Sequence, residues 1–175
     1  MGAGYRAPVA GPIRDVAEGD LDRILELNNA AVPAVNPLVA DDLWWFAEVA
    51  HSFLVAPDAV GGVAGFVIGL HGPGLAYDRL NYTWFSARYD RFVYVDRIVV
   101  AESGRGGGLG RRLYDAFGAR GRDDGHDVLL AEVNVRPRND GSLRFHDRYG
   151  FRSVGEQDTD GGAKRVTLLE KRLDG

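Results

Sequence analysis

Two hydrophobic periods run through this chain, one of two residues and one near 3.6, and the places where they exchange predict its element boundaries. Residues 13–16 read as a short strand, and residues 20–31 as a helix with Leu21, Ile24, Leu25 and Asn28 on one face. A second helix is predicted over residues 41–50, after Pro37 and with Asp41 or Asp42 as N-cap. Residues 52–56 and 62–70 form a hairpin across a loop carrying Pro57, Asp58 and Gly61. Residues 72–92 show neither period and read as a long connection. The apolar run over residues 93–101 predicts a strand buried on both faces, and residues 108–121 a helix with Leu109, Leu113, Ala116 and Phe117 toward the sheet. A strand at 127–135 and a helix at 140–149 ended by Gly150 come next, followed by a closing hairpin of 151–157 and 163–173 around Asp160-Gly161-Gly162. The order β-α-α-β-β-β-α-β-α-β-β predicts an α/β sandwich with a mixed central sheet of about seven strands and about four helices.

Within that order one segment carries chemistry. Arg105-Gly106-Gly107-Gly108-Leu109-Gly110 lies between the strand at 93–101 and the next helix. Its glycines let a ligand approach the backbone, and the free N–H groups and positive dipole end of the helix then favour an anion such as a phosphate. Arg105, Arg111 and Arg112 add cationic donors. Glycines at i, i+2 and i+5, as a dinucleotide fingerprint needs, do not occur here, since the positions five after Gly104 and Gly106 are Leu109 and Arg111. A Walker loop fails as well, because the only lysines, Lys164 and Lys171, lie far downstream.

Arg105, Gly108 and Gly110 match R/Q-x-x-G-x-G/A, and in this the segment resembles the acyl-CoA-binding motif of the GNAT acetyltransferase superfamily. Asp96-Arg97-Ile98-Val99-Val100 resembles that family's fourth strand. Residues 139–151 look like its N-x-x-A-x-x-x-Y-x-x-x-G-F helix, with Ser142 at the small position. The matching block covers roughly residues 93–173. The resemblance implies a splayed pair of central parallel strands, here 93–101 and 127–135, into which the pantetheine arm of acetyl-CoA (coenzyme A) enters. It implies cofactor contacts along Ile98, Val99 and Val100, through Arg105, Gly106, Gly107, Gly108, Leu109, Gly110 and Arg111, and at Asn139, which reads otherwise as a helix cap.

Composition narrows the picture. At 175 residues, 45% hydrophobic and 26% charged, the chain can bury one ordinary core, so residues 13–173 are expected as a single domain after a loose tail at 1–12. Without cysteine there is no disulfide, thiolate metal site or cysteine nucleophile. His51, His71 and His126 lack metal-ligand spacing, and no metal is expected. No apolar stretch reaches the ~20 residues of a membrane span, and residues 1–12 carry no apolar signal region, so a cytoplasmic protein is expected. A formal charge of −4, with arginines mixed among acids, argues against nucleic acid as a partner.

Thioester aminolysis by an amine requires a group that takes a proton from the ammonium, a donor to the oxyanion, and a proton for the leaving thiolate. The resemblance assigns the oxyanion to the N–H of Val99 or Val100. Asp96, four residues before Val100, is the first candidate for the base or ammonium holder, with an ion pair to Arg97 or another arginine as its structural alternative. Glu132, on the neighbouring strand, is the second candidate. For proton return, His146 stands where the family usually carries tyrosine, and Tyr149 follows three residues on; an imidazolium of pKa ~6.5 can protonate a thiolate as a phenol of pKa ~10 does. Core packing is the structural alternative for both.

The connection over residues 72–92 interleaves Tyr77, Tyr82, Trp84, Phe85 and Tyr89 with Arg79, Arg88 and Arg91. In the resembled family it borders the acceptor pocket, together with the turn near residues 31–39. The expected activity is acetyl transfer to a primary amine of a small molecule by direct attack in a ternary complex. The alternatives are a self-packed loop or a homodimer contact for this segment, and a non-catalytic acyl-CoA-binding protein for the whole chain.

Overall fold

A computed structural model describes residues 11–173. The chain runs β1 (Arg14–Asp15), α1 (Leu21–Ala30), α2 (Ala40–Val49), β2 (Ser52–Pro57), β3 (Val63–Gly72), α3 (Leu80–Ser86), β4 (Phe92–Val100), α4 (Leu109–Asp123), β5 (Val128–Arg136), α5 (Asp140–Tyr149), β6 (Arg152–Thr159) and β7 (Lys164–Arg172). The strands form a seven-stranded mixed sheet in the order β1-β2-β3-β4-β5-β7-β6. β4 and β5 are parallel, pairing Val93 with Leu129 and Tyr94 with Leu130, and β4 continues beyond that pairing to Val100. β5 with β7 and β6 with β7 are antiparallel, and β6 bulges between Ser153 and Gly155.

The contacts divide the described residues into two compact units: 11–68 with Arg97–Phe117, and Gly69–Asp96 with 118–173. In the first, α1 buries Leu21, Ile24, Leu27 and Asn28. Just ahead of it, Asp20 Oδ2 accepts the Ala17 N–H at 2.8 Å across the 3-10 turn Glu18–Asp20, while both oxygens take the Arg14 guanidinium at 2.7 and 2.9 Å. Leu43 and Phe46 bury the inner face of α2, and the start of α4 buries Leu109, Leu113, Tyr114 and Phe117.

The second unit packs an aromatic cluster. Tyr82 of α3 lies 5.7 Å from Phe92 and 5.8 Å from Tyr94 between ring centroids, and Phe85 is fully buried beside them. Gly72 lies so close under Phe92 that a Cβ there would fall 2.2 Å from the ring's Cζ, so only glycine fits. Glu170, 3% exposed, is held by the Tyr89 hydroxyl at 2.6 Å and by Arg152 at 2.7 Å.

Several expectations need correction. The connection 72–92 is not without regular structure: it contains α3, which makes five α-helices among the described residues where about four were expected. On α1, Leu27 and not Leu25 completes the buried face; on α4, Tyr114 is buried and Ala116 only half-buried. α2 starts one residue earlier, at Ala40, so Asp42 is its third residue and not its cap, accepting the Val39 N–H at 2.8 Å. The first ten residues of the expected tail at 1–12 lie outside the described residues. Among the described residues no helix is long and apolar enough to cross a membrane.

Candidate active site

In the first unit, β4 ends at Val100 and the short 3-10 turn Glu102–Gly104 leads to the glycine loop and α4. Gly106 and Gly108 have φ of +77° and +81°, where a side chain strains the backbone. A Cβ on either would meet nothing within 4 Å, so conformation and not crowding demands glycine, and the polar edge of the loop stays open. Gly104 is the opposite case: a Cβ there would lie 2.8 Å from Leu109 Cδ1, and Leu109, 4% exposed, anchors the loop from below. The Arg112 N–H donates to Gly108 O at 3.0 Å, the first i to i−4 bond of α4. N–H groups ahead of it have no such partner in the helix, and they share the positive end of a fifteen-residue dipole.

The arginines around this loop take different directions. Arg112 donates through Nη2 to Gly11 O at 2.7 Å. Arg111 is exposed and sits 3.8 Å from Asp115 on the next turn, while Arg105 is exposed in the loop itself. Along β4, Val99 is buried and Ile98 and Val100 are half-buried, and the Ala101 N–H donates to Ala64 O at 2.8 Å. This loop fits the diphosphate of coenzyme A: it offers backbone donors, no occluding Cβ and exposed cationic side chains.

The second unit holds the titratable candidates. Asp96 is half-buried and its Oδ1 accepts the Tyr77 hydroxyl. Arg97, the next residue, donates in the first unit to Asn28 Oδ1 and Asn36 O, at 2.9 and 3.1 Å. Glu132 accepts the Tyr94 hydroxyl at Oε1, 2.8 Å away. Tyr94 is buried, and burial first, then the charges of Glu132 and Asp96, hold its hydroxyl well above the usual phenol range. Tyr94 and Asp96 are two residues apart on one strand and share a face, so both acids and both tyrosines belong to one cluster.

On α5, Asn139 caps the helix, accepting the Ser142 N–H at 3.2 Å, and Gly150 closes it in the left-handed conformation. His146 is 3% exposed, and its Nδ1 donates to the Ser142 carbonyl at 2.8 Å. Its ring centroid lies 5.1 Å from that of Phe151. Burial pushes the imidazole below its usual range, against the opposing pull of the Ser142 carbonyl. Tyr149 is half-buried, stacks on Phe145 at 6.1 Å and has Lys171 Nζ 5.3 Å from its ring centroid.

Sequence reasoning singled out Asp96 and Glu132 but not their tyrosine partners. The period of β4 could have found Tyr94, which faces the same way as Asp96. Tyr77, nineteen positions before Asp96, carried no signal beyond the aromatic richness of its loop.

The profile of the Acetyltransferase (GNAT) family matches residues 21–151. A relative from Pseudomonas aeruginosa, an L-methionine sulfoximine/L-methionine sulfone acetyltransferase, is 30% identical over 154 residues, covering 82% of this chain and 81% of its own. Among solved structures, Ard1 from Thermoplasma volcanium superposes with a TM-score of 0.75 at 20% identity, covering 95% of this chain and all of that one. A putative acetyltransferase from Salmonella typhimurium, YncA, solved with its cofactor acetyl-CoA, gives a TM-score of 0.69 at 22% identity over 93% of this chain and 94% of its own.

Proposed function

Because the chain belongs to the GNAT family of acetyltransferases, we propose that it moves the acetyl group of acetyl-CoA to the primary amine of a small molecule by direct attack in a ternary complex. The observation that carries this reading is the glycine loop, whose open, positive-φ backbone leads into the first turn of α4, ahead of the i to i−4 bond from Arg112 to Gly108. Acetyl-CoA supplies the activated thioester.

The chain's residues divide the work. The glycine loop, with Arg105 and Arg111, holds the diphosphate, and the N–H of Val99 or Val100 donates to the oxyanion. Asp96 holds the acceptor ammonium and takes its proton, with Glu132 as the neighbouring acid. For proton return we favour Tyr149 over His146. A buried imidazole that spends Nδ1–H on the Ser142 carbonyl, and whose pKa burial lowers, is less often in its protonated form at neutral pH and so has less often a proton to return. The acceptor class follows the relative that acts on L-methionine sulfoximine and sulfone, small amines that also bear a carboxylate.

The test is acetyl-CoA turnover, followed by thiol release, with a panel of primary amines that includes L-methionine sulfoximine and L-methionine sulfone. Amine-dependent release is expected. Coenzyme A binding without release for any amine would favour the non-catalytic alternative instead.

A further inference from the structure

Tyr77 lies on the β3–α3 connection, outside every element that presents the cofactor loop or the strand acids. Its hydroxyl nevertheless reaches Asp96 Oδ1. Its ring is braced edge-on by Tyr82, with centroids 5.6 Å apart and planes at 77°. Tyr82 cannot drift: it is 3% exposed, its hydroxyl donates to His71 O at 2.9 Å, and the Tyr82 hydroxyl oxygen accepts the Leu75 N–H at 3.2 Å. The connection after β3 is thereby folded around Tyr82 so that one phenol is delivered to one carboxylate.

A carboxylate accepts at both oxygens. A donor fixed on Oδ1 restricts rotation of the Asp96 carboxyl group, which gives Oδ2 a defined direction. A matching arrangement stands beside it, where Tyr94 donates to Glu132 Oε1 at 2.8 Å. Resting on the reading of Asp96 as ammonium holder, we propose that Tyr77 is the positioning residue of Asp96, setting the orientation in which that carboxylate meets the acceptor amine.

Tyr77→Phe keeps the ring and its contact with Tyr82 and removes only the hydroxyl. With the amine that the wild-type protein turns over best in the panel above, kcat/KM is expected to fall about 10- to 100-fold, the size of a hydrogen bond to a charged group. The KM for acetyl-CoA should stay at its wild-type value, and the thermal midpoint should fall by no more than a few degrees. Asp96→Asn should fall at least as far, and adding Tyr77→Phe to it should cost nothing more, because the two act as one unit. Wild-type kcat/KM in Tyr77→Phe while Asp96→Asn is impaired overturns the positioning role and leaves the acetyl-transfer reading standing. Losses that multiply in the double variant also overturn it, since Tyr77 would then act independently of Asp96. Full activity in Asp96→Asn removes the role of Asp96 and the inference together, and turnover of no amine removes the reading on which both rest.

Discussion

Arg97 donates through Nη1 to Asn28 Oδ1 at 2.9 Å, tying β4 to α1 through two side chains that are 8% and 0% exposed. The same nitrogen reaches Asn36 O at 3.1 Å, so the turn after α1 is held by the same cation, which lies 5.4 Å from the Phe46 ring centroid. A neutral replacement of similar length leaves the buried Asn28 Oδ1 without this donor, while Asn36 O keeps the Asn28 Nδ2 donor at 3.0 Å. Arg97→Met is therefore expected to cost about 1–3 kcal/mol, read as a lower urea midpoint with an unchanged slope.

Gly108→Ala meets no neighbouring atom but must hold a φ of +81°. The strain is about 1–2 kcal/mol, and the chain can relieve it by moving the loop away from the geometry that presents its N–H groups. Weaker coenzyme A binding by at least tenfold in calorimetry is the expected outcome, with a thermal midpoint only a few degrees lower.

Burial holds the His146 imidazole below its usual value, so between the unfolded value of about 6.5 and its own lower one the folded protein binds fewer protons than the unfolded chain. Stability from this group is complete above pH of about 6.5 and is lost as the pH falls below that value. His146→Phe should flatten the slope of unfolding free energy against pH in that window. Denaturant midpoints collected from pH 7.5 down to pH 5 would show it, and parallel curves for the two proteins would contradict the prediction.

Proton return to the thiolate should be visible in turnover and not in binding. Tyr149→Phe is expected to lower kcat about 10² to 10⁴-fold, the usual contribution of general acid catalysis, with the KM for acetyl-CoA little changed. His146→Phe should retain most of the wild-type kcat. Steady-state rates of both variants at neutral pH decide between the two residues.

How much of this was readable beforehand depends on how far apart the interacting groups stand in the chain. The glycine loop, the start of α4 and both ends of α5 announce themselves locally: Asn139 caps a residue three positions on, and Gly150 ends the helix through its own backbone freedom. α3 does not. Leu-Asn-Tyr-Thr-Trp-Phe-Ser is poor in strong helix formers, and Arg79 at its N-cap makes no side-chain cap bond. That helix is held by burying Tyr82 and Phe85 against Phe92 and Tyr94, a gain that depends on strands elsewhere in the chain.

The residue order alone determined the succession of elements apart from α3, the glycine turn ahead of α4 and which acids stand on the central strands, because periodicity, capping and positive φ act over a few positions. The tertiary structure decided which groups those acids meet: Tyr77 on Asp96, Tyr94 on Glu132 thirty-eight positions away, and Tyr89 on Glu170 across eighty-one. It also decided that His146 is buried and its imidazole pKa lowered. Such pairings require strands and loops distant in sequence to be brought side by side, and desolvation exists only once a core has closed around the group.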